Sequence, residues 1–498
     1  MNGEKSDPEI AKGPRFGIRH VQILLLFLNM TCVYMARLSI SVLVVAMTNA
    51  ETTNPDFPEF DWSEKERNYI ISSFYWGYVV TQFPAGYLNR RFGAKFVIFF
   101  STFSSAIITL FTPLVVMTGS WKAYCAIRMA HGLIEGPLFP CINDHVAKWS
   151  PPQERYFLSA LAFTGVNSGT VTSILFSGLI ASSSLGWPGV SYIPGGLCIV
   201  WCGVWLIFGE TNAPSSRFIT KEECIYIESS LNRGNDFHKK KIPVPWVAMW
   251  KSVTFWALLF SSACISWGST TLQSQIPSYL NGVLNMDIKN NAYYSTLPYI
   301  ANWIMTYIYA FMGNMAIRKG WLTLTQMRKI SNTIGTWIPT ILLICIGFLD
   351  DANMELIITI LIVNIGLEAG TATGALLSTI DLAPNHAGFV MGIINPICSI
   401  IPLVSPLVVG VVVTDVHDRS EWQIIFGISA AVGFLGSLVF LIFGSSEPAP
   451  WDAPDFLIKQ NIEEPMNNSA QKSTFEEISG FDSVQREPKI SFKVTDSN

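Results

Sequence analysis

The chain has 498 residues, of which 50% are hydrophobic and 14% charged, with a formal net charge of −4. A soluble domain carries about 25% charged residues, so this balance points to a membrane protein, and nothing in it suggests nucleic acid as a partner. The nine cysteines lack C-x-x-C spacing and sit mostly in apolar runs, where they read as small buried hydrophobes and not as a disulfide framework.

A charged, Pro-containing leader over 1–20 precedes the first apolar run, 21–48. That run is too long for the core of a signal peptide, so no cleavable signal is expected and the segment should remain a membrane helix. Five more runs of membrane-spanning length follow near 69–88, 95–117, 122–146, 156–183 and 188–209. A polar stretch, 210–252, containing "HKKK", separates them from a second six near 254–282, 292–316, 330–349, 355–379, 388–414 and 423–444. The tail over 445–498 is polar, rich in Glu, Asp, Ser and Asn, and reads as disordered. The expected fold is all-α, with twelve transmembrane helices in two six-helix pseudo-repeats, 21–209 and 253–444.

Basic residues fall on alternate connections: Arg15 and Arg19, Arg90 and Arg91, Lys148 and Arg155, Lys239 to Lys241, then Arg318, Lys319, Arg328 and Lys329. The positive-inside rule therefore places both tails and the central loop on the cytoplasmic side, which puts the sequon at Asn467 out of reach of glycosylation. The halves also echo each other. "GYLNRRFGAK" after the second span and "GNMAIRKG" after the eighth both put Gly before a basic cluster, the mark of a transporter built from repeats.

Ionisable residues inside the spans are the candidates for chemistry, because an uncompensated charge at a helix centre costs roughly 2.5–3.5 kcal/mol. Arg37 lies deep in the first span, and Arg128, His131 and Glu135 share one face of the fourth at i, i+3 and i+7. Two guanidiniums facing one cavity would make a substrate site for an anion, each offering a planar fork to carboxylate or phosphate. The competing role for each arginine is a structural ion pair or a carbonyl-capped contact between helices. Glu135 is the natural counter-charge for Arg128 and a candidate proton carrier in ion coupling. For His131 two roles stay open, hydrogen-bonded packing or a share in that proton. Glu368, a second lone acid in the tenth span, is a further ion-coupling candidate. There is no G-x-x-x-x-G-K-[ST] loop, no metal-ligand spacing and no G-x-S-x-G run, so neither an enzyme, nor a cofactor, nor a bound metal is expected.

The runs "SSFYWGYVVTQFPAGYL", "RMAHGLIEGPLFPCINDHVAKWSPPQER", "STIDLAPNHAGFVMGIIN" and "SEWQIIFGISAA" together closely resemble the solute carrier 17 family of the major facilitator superfamily, over all twelve spans. The resemblance implies symport or facilitated transport of small anions, such as inorganic phosphate or organic carboxylates, using arginines in spans 1 and 4 and a glutamate in span 4. Those positions are Arg37, Arg128 and Glu135 here. Ile71 and Ile265 stand where vesicular glutamate transporters have histidine and arginine, which disfavours glutamate loading. His131 stands where sialin has a glutamate, which puts a sialin-like proton pathway in question. In character the chain is closest to the family's inorganic phosphate cotransporters. The expectation is a symporter driven by Na+ or H+ through alternating access; its rivals are a sensor on the same fold and a proton-coupled, sialin-like exporter. A monomer in the plasma membrane is expected, since neither tail carries an acidic dileucine signal.

Overall fold

The described residues of the computed structural model, 14–48, 56–231, 243–282, 288–349, 354–413, 417–454 and 456, form twelve helical rods and no strand. The "HKKK" run, Asn467 and nearly all of the C-terminal tail lie outside them. In the N-terminal half the rods are Ile18–Leu38 continued by Ile40–Thr48, Glu64–Gln82 with Ala85–Phe92, Ala94–Thr118, Trp121–Glu135 with Leu138–Trp149, Arg155–Ala181, and Gly186–Phe208. Their counterparts in the C-terminal half are Val253–Gly282, Ile288–Arg318, Leu324–Phe348, Met354–Leu382, Ala387–Val412 and Arg419–Phe443.

Eight of the twelve rods are both long and apolar enough to cross a membrane by composition. The second, fourth, seventh and eighth are not; the fourth is divided into segments of 15 and 12 residues, each too short alone. Two of those four are also broken. Pro84 and Pro137 each begin a new helical segment, since proline supplies no N–H and its ring clashes with the carbonyl one turn back. In the tenth rod the continuity is relaxed differently, by a π turn over Ala372–Leu376.

Small residues bring particular rods together. A Cβ on Gly132 would lie 1.9 Å from the Phe74 carbonyl oxygen, and one on Gly77 2.1 Å from that of Met129, so the second and fourth rods touch backbone to backbone. Gly165 and Gly169 do the same for the fifth rod against the first, facing the carbonyls of Phe27 and Thr31 at 2.3 and 2.6 Å. This close approach sets Phe74 and Tyr78 directly beside the charged face of the fourth rod.

The halves meet where the fourth and fifth rods approach the ninth, tenth and eleventh. There Asn143 Nδ2 donates to Thr379 Oγ1 and to the Ala387 carbonyl, both at 3.3 Å, and Tyr156 Oη lies 2.9 Å from Ser331 Oγ. Arg155 stands 3.8 Å from Asp381, a fully buried carboxylate that Arg328 binds at 2.9 Å. The central polar stretch, 210–252, contains the helix Lys221–Ser230. Its Tyr226 and Ile227 pack on Trp149, and the buried Glu223 accepts from the Ile18 and Arg19 amides at 2.9 and 3.1 Å. A carboxylate so placed satisfies orphan donors and favours the positive end of the first rod.

Candidate functional site

Between the halves lies a cavity of about 260 Å³. Tyr34, Arg37 and Leu38 of the first rod, Tyr75 and Tyr78 of the second, and Val166, Asn167 and Thr170 of the fifth form one wall. The facing wall is Ser266 and Thr270 of the seventh rod, Tyr299 and Asn302 of the eighth, and Asn395, Cys398, Ser399 and Pro402 of the eleventh. Arg37 is the one charged side chain among these residues.

Aromatic rings hold that arginine in place. Its guanidinium carbon lies 4.3 Å from the Phe74 ring centroid, 4.5 Å from that of Tyr78, and 5.3 Å from those of Tyr34 and Tyr75. Each face contributes by cation–π attraction, about 2 kcal/mol where water is excluded. No carboxylate pairs with Arg37 among the described residues, so the competing role of structural ion pair is not what the geometry shows. The guanidinium also hydrogen-bonds the Tyr78 side chain, and it faces the cavity.

Arg128 is 5% exposed and its guanidinium carbon lies 5.1 Å from the same Phe74 ring, but it does not line the cavity. Its Nε is buried without a hydrogen-bond partner. Phe74, itself 1% exposed, is thus the hub of the N-terminal half: both guanidiniums approach its ring, and the imidazole of His131 meets it edge-on at 5.5 Å.

The pairing expected between Arg128 and Glu135 is not observed, and the structure corrects it. Glu135 Oε1 accepts from Ser105 Oγ at 2.7 Å and stands 2.8 Å from His131 Nε2, while Ser105 Oγ lies 2.6 Å from the same nitrogen. His131 and Glu135 are four residues apart on one helix, so their side chains meet one above the other, whereas Arg128 is two turns from Glu135. All three members of the cluster are buried. Sequence reading missed Ser105, a neutral residue in an apolar third span. Its signal was slight: polar groups buried inside a membrane bundle need partners.

Glu368 stands apart from this assembly. It lines a separate cavity of about 50 Å³ inside the C-terminal half, between the seventh, ninth, tenth and twelfth rods, and accepts a hydrogen bond from Ser269 Oγ. The site also contains neutral bridges across the halves that the sequence did not flag. Asn167 Nδ2 donates to Asn302 Oδ1 at 2.9 Å and to Thr306 Oγ1 at 3.1 Å, and Asn395 Nδ2 donates to Tyr78 Oη at 3.3 Å.

Two six-rod halves enclosing a polar cavity are the architecture of a secondary transporter. The family model described as Major Facilitator Superfamily matches residues 26–406. Among characterised sequences, the chain is 33% identical over 464 residues to a "Putative inorganic phosphate cotransporter" of Drosophila melanogaster, covering 88% of this chain and 87% of that one. It is 29% identical over 482 residues to sialin of Ovis aries, covering 91% and 96%. In three dimensions it superimposes on the proton:xylose symporter XylE with a TM-score of 0.64, at 14% identity and over 88% and 98% of the two chains, a likeness of fold alone. The chain belongs to the Major Facilitator Superfamily, in its solute carrier 17 branch. It is an integral, multi-pass membrane transporter and not an enzyme.

Proposed function

We propose that the chain is a symporter for a small organic monoanion, with Arg37 as the primary anion-binding group and Arg128 as a second cation on its route. The observation that carries this reading is the single guanidinium facing a cavity whose other polar lining is phenols, amides, hydroxyls and one thiol. A volume of about 260 Å³ approaches the roughly 300 Å³ lower range of small-molecule sites. Inorganic phosphate fills only part of such a space, whereas a hydroxylated monocarboxylate would meet both the fork of Arg37 and the neutral donors and acceptors of the facing wall.

Coupling is assigned to H+ in preference to Na+, through Glu135 with His131. A carboxylate, an imidazole and a hydroxyl in mutual contact can hold or release a proton as one unit, with the two guanidiniums gathered on Phe74 sensing its charge. Glu368 is the lesser coupling candidate. In this reading the halves 21–209 and 253–444 rock about the cavity, while both tails, 1–20 and 445–498, and the central loop 210–252 face the cytoplasm of a monomer in the plasma membrane.

Purified protein in liposomes, offered radiolabelled D-gluconate and radiolabelled inorganic phosphate under pH and Na+ gradients imposed separately, tests every part. Gluconate accumulation driven by the pH gradient is the expected result. Uptake of phosphate alone would remove the organic-anion assignment, and accumulation driven only by Na+ would remove the proton assignment.

A further inference from the structure

The N-terminal half carries a second, larger recess, a groove of about 580 Å³ where the third rod runs beside the second and fourth. Leu88 and Phe92 of the second rod, Phe96, Phe100 and Ser104 of the third, and Leu133 of the fourth line it. Phe92, Phe96 and Phe100 are 55, 50 and 59% exposed, and in a chain that crosses a membrane such rings face hydrocarbon. The groove lies at the breaks in both neighbouring rods: Leu88 follows Pro84, and Leu133 comes just before Pro137. From Phe96 to Ser104 the third rod advances about 12 Å, against roughly 15 Å for the hydrocarbon of one leaflet. One acyl chain fits along it.

The second rod turns into the third at Gly93, and three cations stand around that turn: Arg90, Arg91 and Lys95. Two of them are engaged. Lys95 Nζ pairs with Glu210 at 3.1 Å, and the Arg90 guanidinium carbon lies 4.5 Å from the Phe389 ring centroid of the eleventh rod. Arg91 is exposed, makes no ion pair among the described residues, and has its guanidinium carbon 5.7 Å from the ring of Phe92, which walls the groove. Bilayer tails are as apolar as the groove, so burial of a chain favours no lipid over another. The head group decides, because a guanidinium binds phosphate as a planar fork and is favoured further by net negative charge.

We propose that this groove is a binding site for an anionic phospholipid, with one acyl chain along Phe96, Phe100 and Ser104 and the head-group phosphate on Arg91. The inference does not depend on which anion the central cavity carries. In the orientation proposed above the site opens to the cytoplasmic leaflet, where anionic lipids concentrate.

Dipalmitoyl phosphatidylglycerol and dipalmitoyl phosphatidylcholine share their chains and differ in head-group charge. Each is titrated into the purified full-length chain in a neutral detergent, and the first bound lipid is counted by native mass spectrometry. On the scale of one basic side chain against anionic lipid, phosphatidylglycerol should bind about fivefold tighter than phosphatidylcholine. Arg91→Gln should remove that preference and leave the affinity for phosphatidylcholine unchanged. Ser104→Phe, which fills the groove, should weaken the first site for both lipids. Lys122, exposed 5.7 Å from the Trp121 ring centroid at the start of the fourth rod, is the matched control, and Lys122→Gln should change neither affinity. Equal affinities in the wild type, a preference that survives Arg91→Gln, or wild-type binding by Ser104→Phe overturns the proposal. An equal loss of preference in Lys122→Gln shows diffuse attraction to positive charge and overturns it too. Arg91→Gln alters an exposed side chain and carries the test by itself should Ser104→Phe not be monodisperse.

Discussion

Glu135 in the N-terminal half and Glu368 in the C-terminal half are both acids within membrane-spanning helices, yet their surroundings have little in common. Glu135 touches an imidazole and a hydroxyl, and its helix carries Arg128 onto the Phe74 ring that Arg37 also covers. Glu368 touches a hydroxyl beside a small cavity of its own, with no basic side chain in ion-pair contact among the described residues. The two walls of the central cavity repeat the contrast: the N-terminal wall brings a cation, and the C-terminal wall brings only neutral groups. A pseudo-symmetric scaffold therefore carries an asymmetric site. In the proposed reading the N-terminal half binds the anion and exchanges a proton, and the C-terminal half completes the cavity with neutral groups.

The strongest challenge to this contrast is Arg37→Lys. Lysine keeps the charge but loses the bidentate fork, and loss of one charge-assisted hydrogen bond amounts to about 1.5–3 kcal/mol, or roughly tenfold and more. Uptake into liposomes should fall at least about tenfold with protein yield unchanged; near-normal uptake would show that the N-terminal wall supplies charge balance and not recognition.

Glu135→Gln should separate binding from coupling. The amide keeps a partner for Ser105 and His131 but carries no exchangeable proton, so counterflow of labelled substrate persists while accumulation under a pH gradient disappears. A variant that still accumulates substrate would dissolve the distinction between the two acids.

A smaller effect is expected for His131→Gln. If His131, 2.8 Å from Glu135, shares the proposed coupling proton, the pH–uptake curve should move by about one unit, with little change in affinity at saturating proton concentration. An unmoved curve in well-folded protein would return His131 to a packing role.

Glu368→Gln is the smallest. With no cation to lose and a hydroxyl partner retained, uptake and accumulation should stay within about twofold of wild type, the scale of ~0.5 kcal/mol. Should this variant lose accumulation as Glu135→Gln is expected to, the site would be symmetric after all.

Much of this protein was legible in its sequence because the bilayer is a severe solvent. It demands long apolar runs, sorts basic loops to one side and makes each intramembrane ionisable residue stand out, so the six-plus-six division and the candidates Arg37, Arg128, His131, Glu135 and Glu368 could all be named from the chain. Partnership was not legible. Helical periodicity put Arg128, His131 and Glu135 on one face, but a face does not say which neighbour wins, and the i, i+4 contact to His131 prevailed over the more distant arginine. Neutral participants stayed hidden for a simpler reason. Ser105, Tyr78, Asn302 and Asn395 carry no charge that the membrane would penalise, and Phe74 looks like any other core aromatic. Their significance comes from contacts between rods far apart in the chain, set by backbone-to-backbone packing at Gly132 and Gly77 and by the closure of one half on the other. Composition and periodicity are properties of a single segment, and so the sequence determined which helices exist and which charges they carry. The cavity, and what each charge meets there, depend on distances between segments, which only the tertiary structure decides.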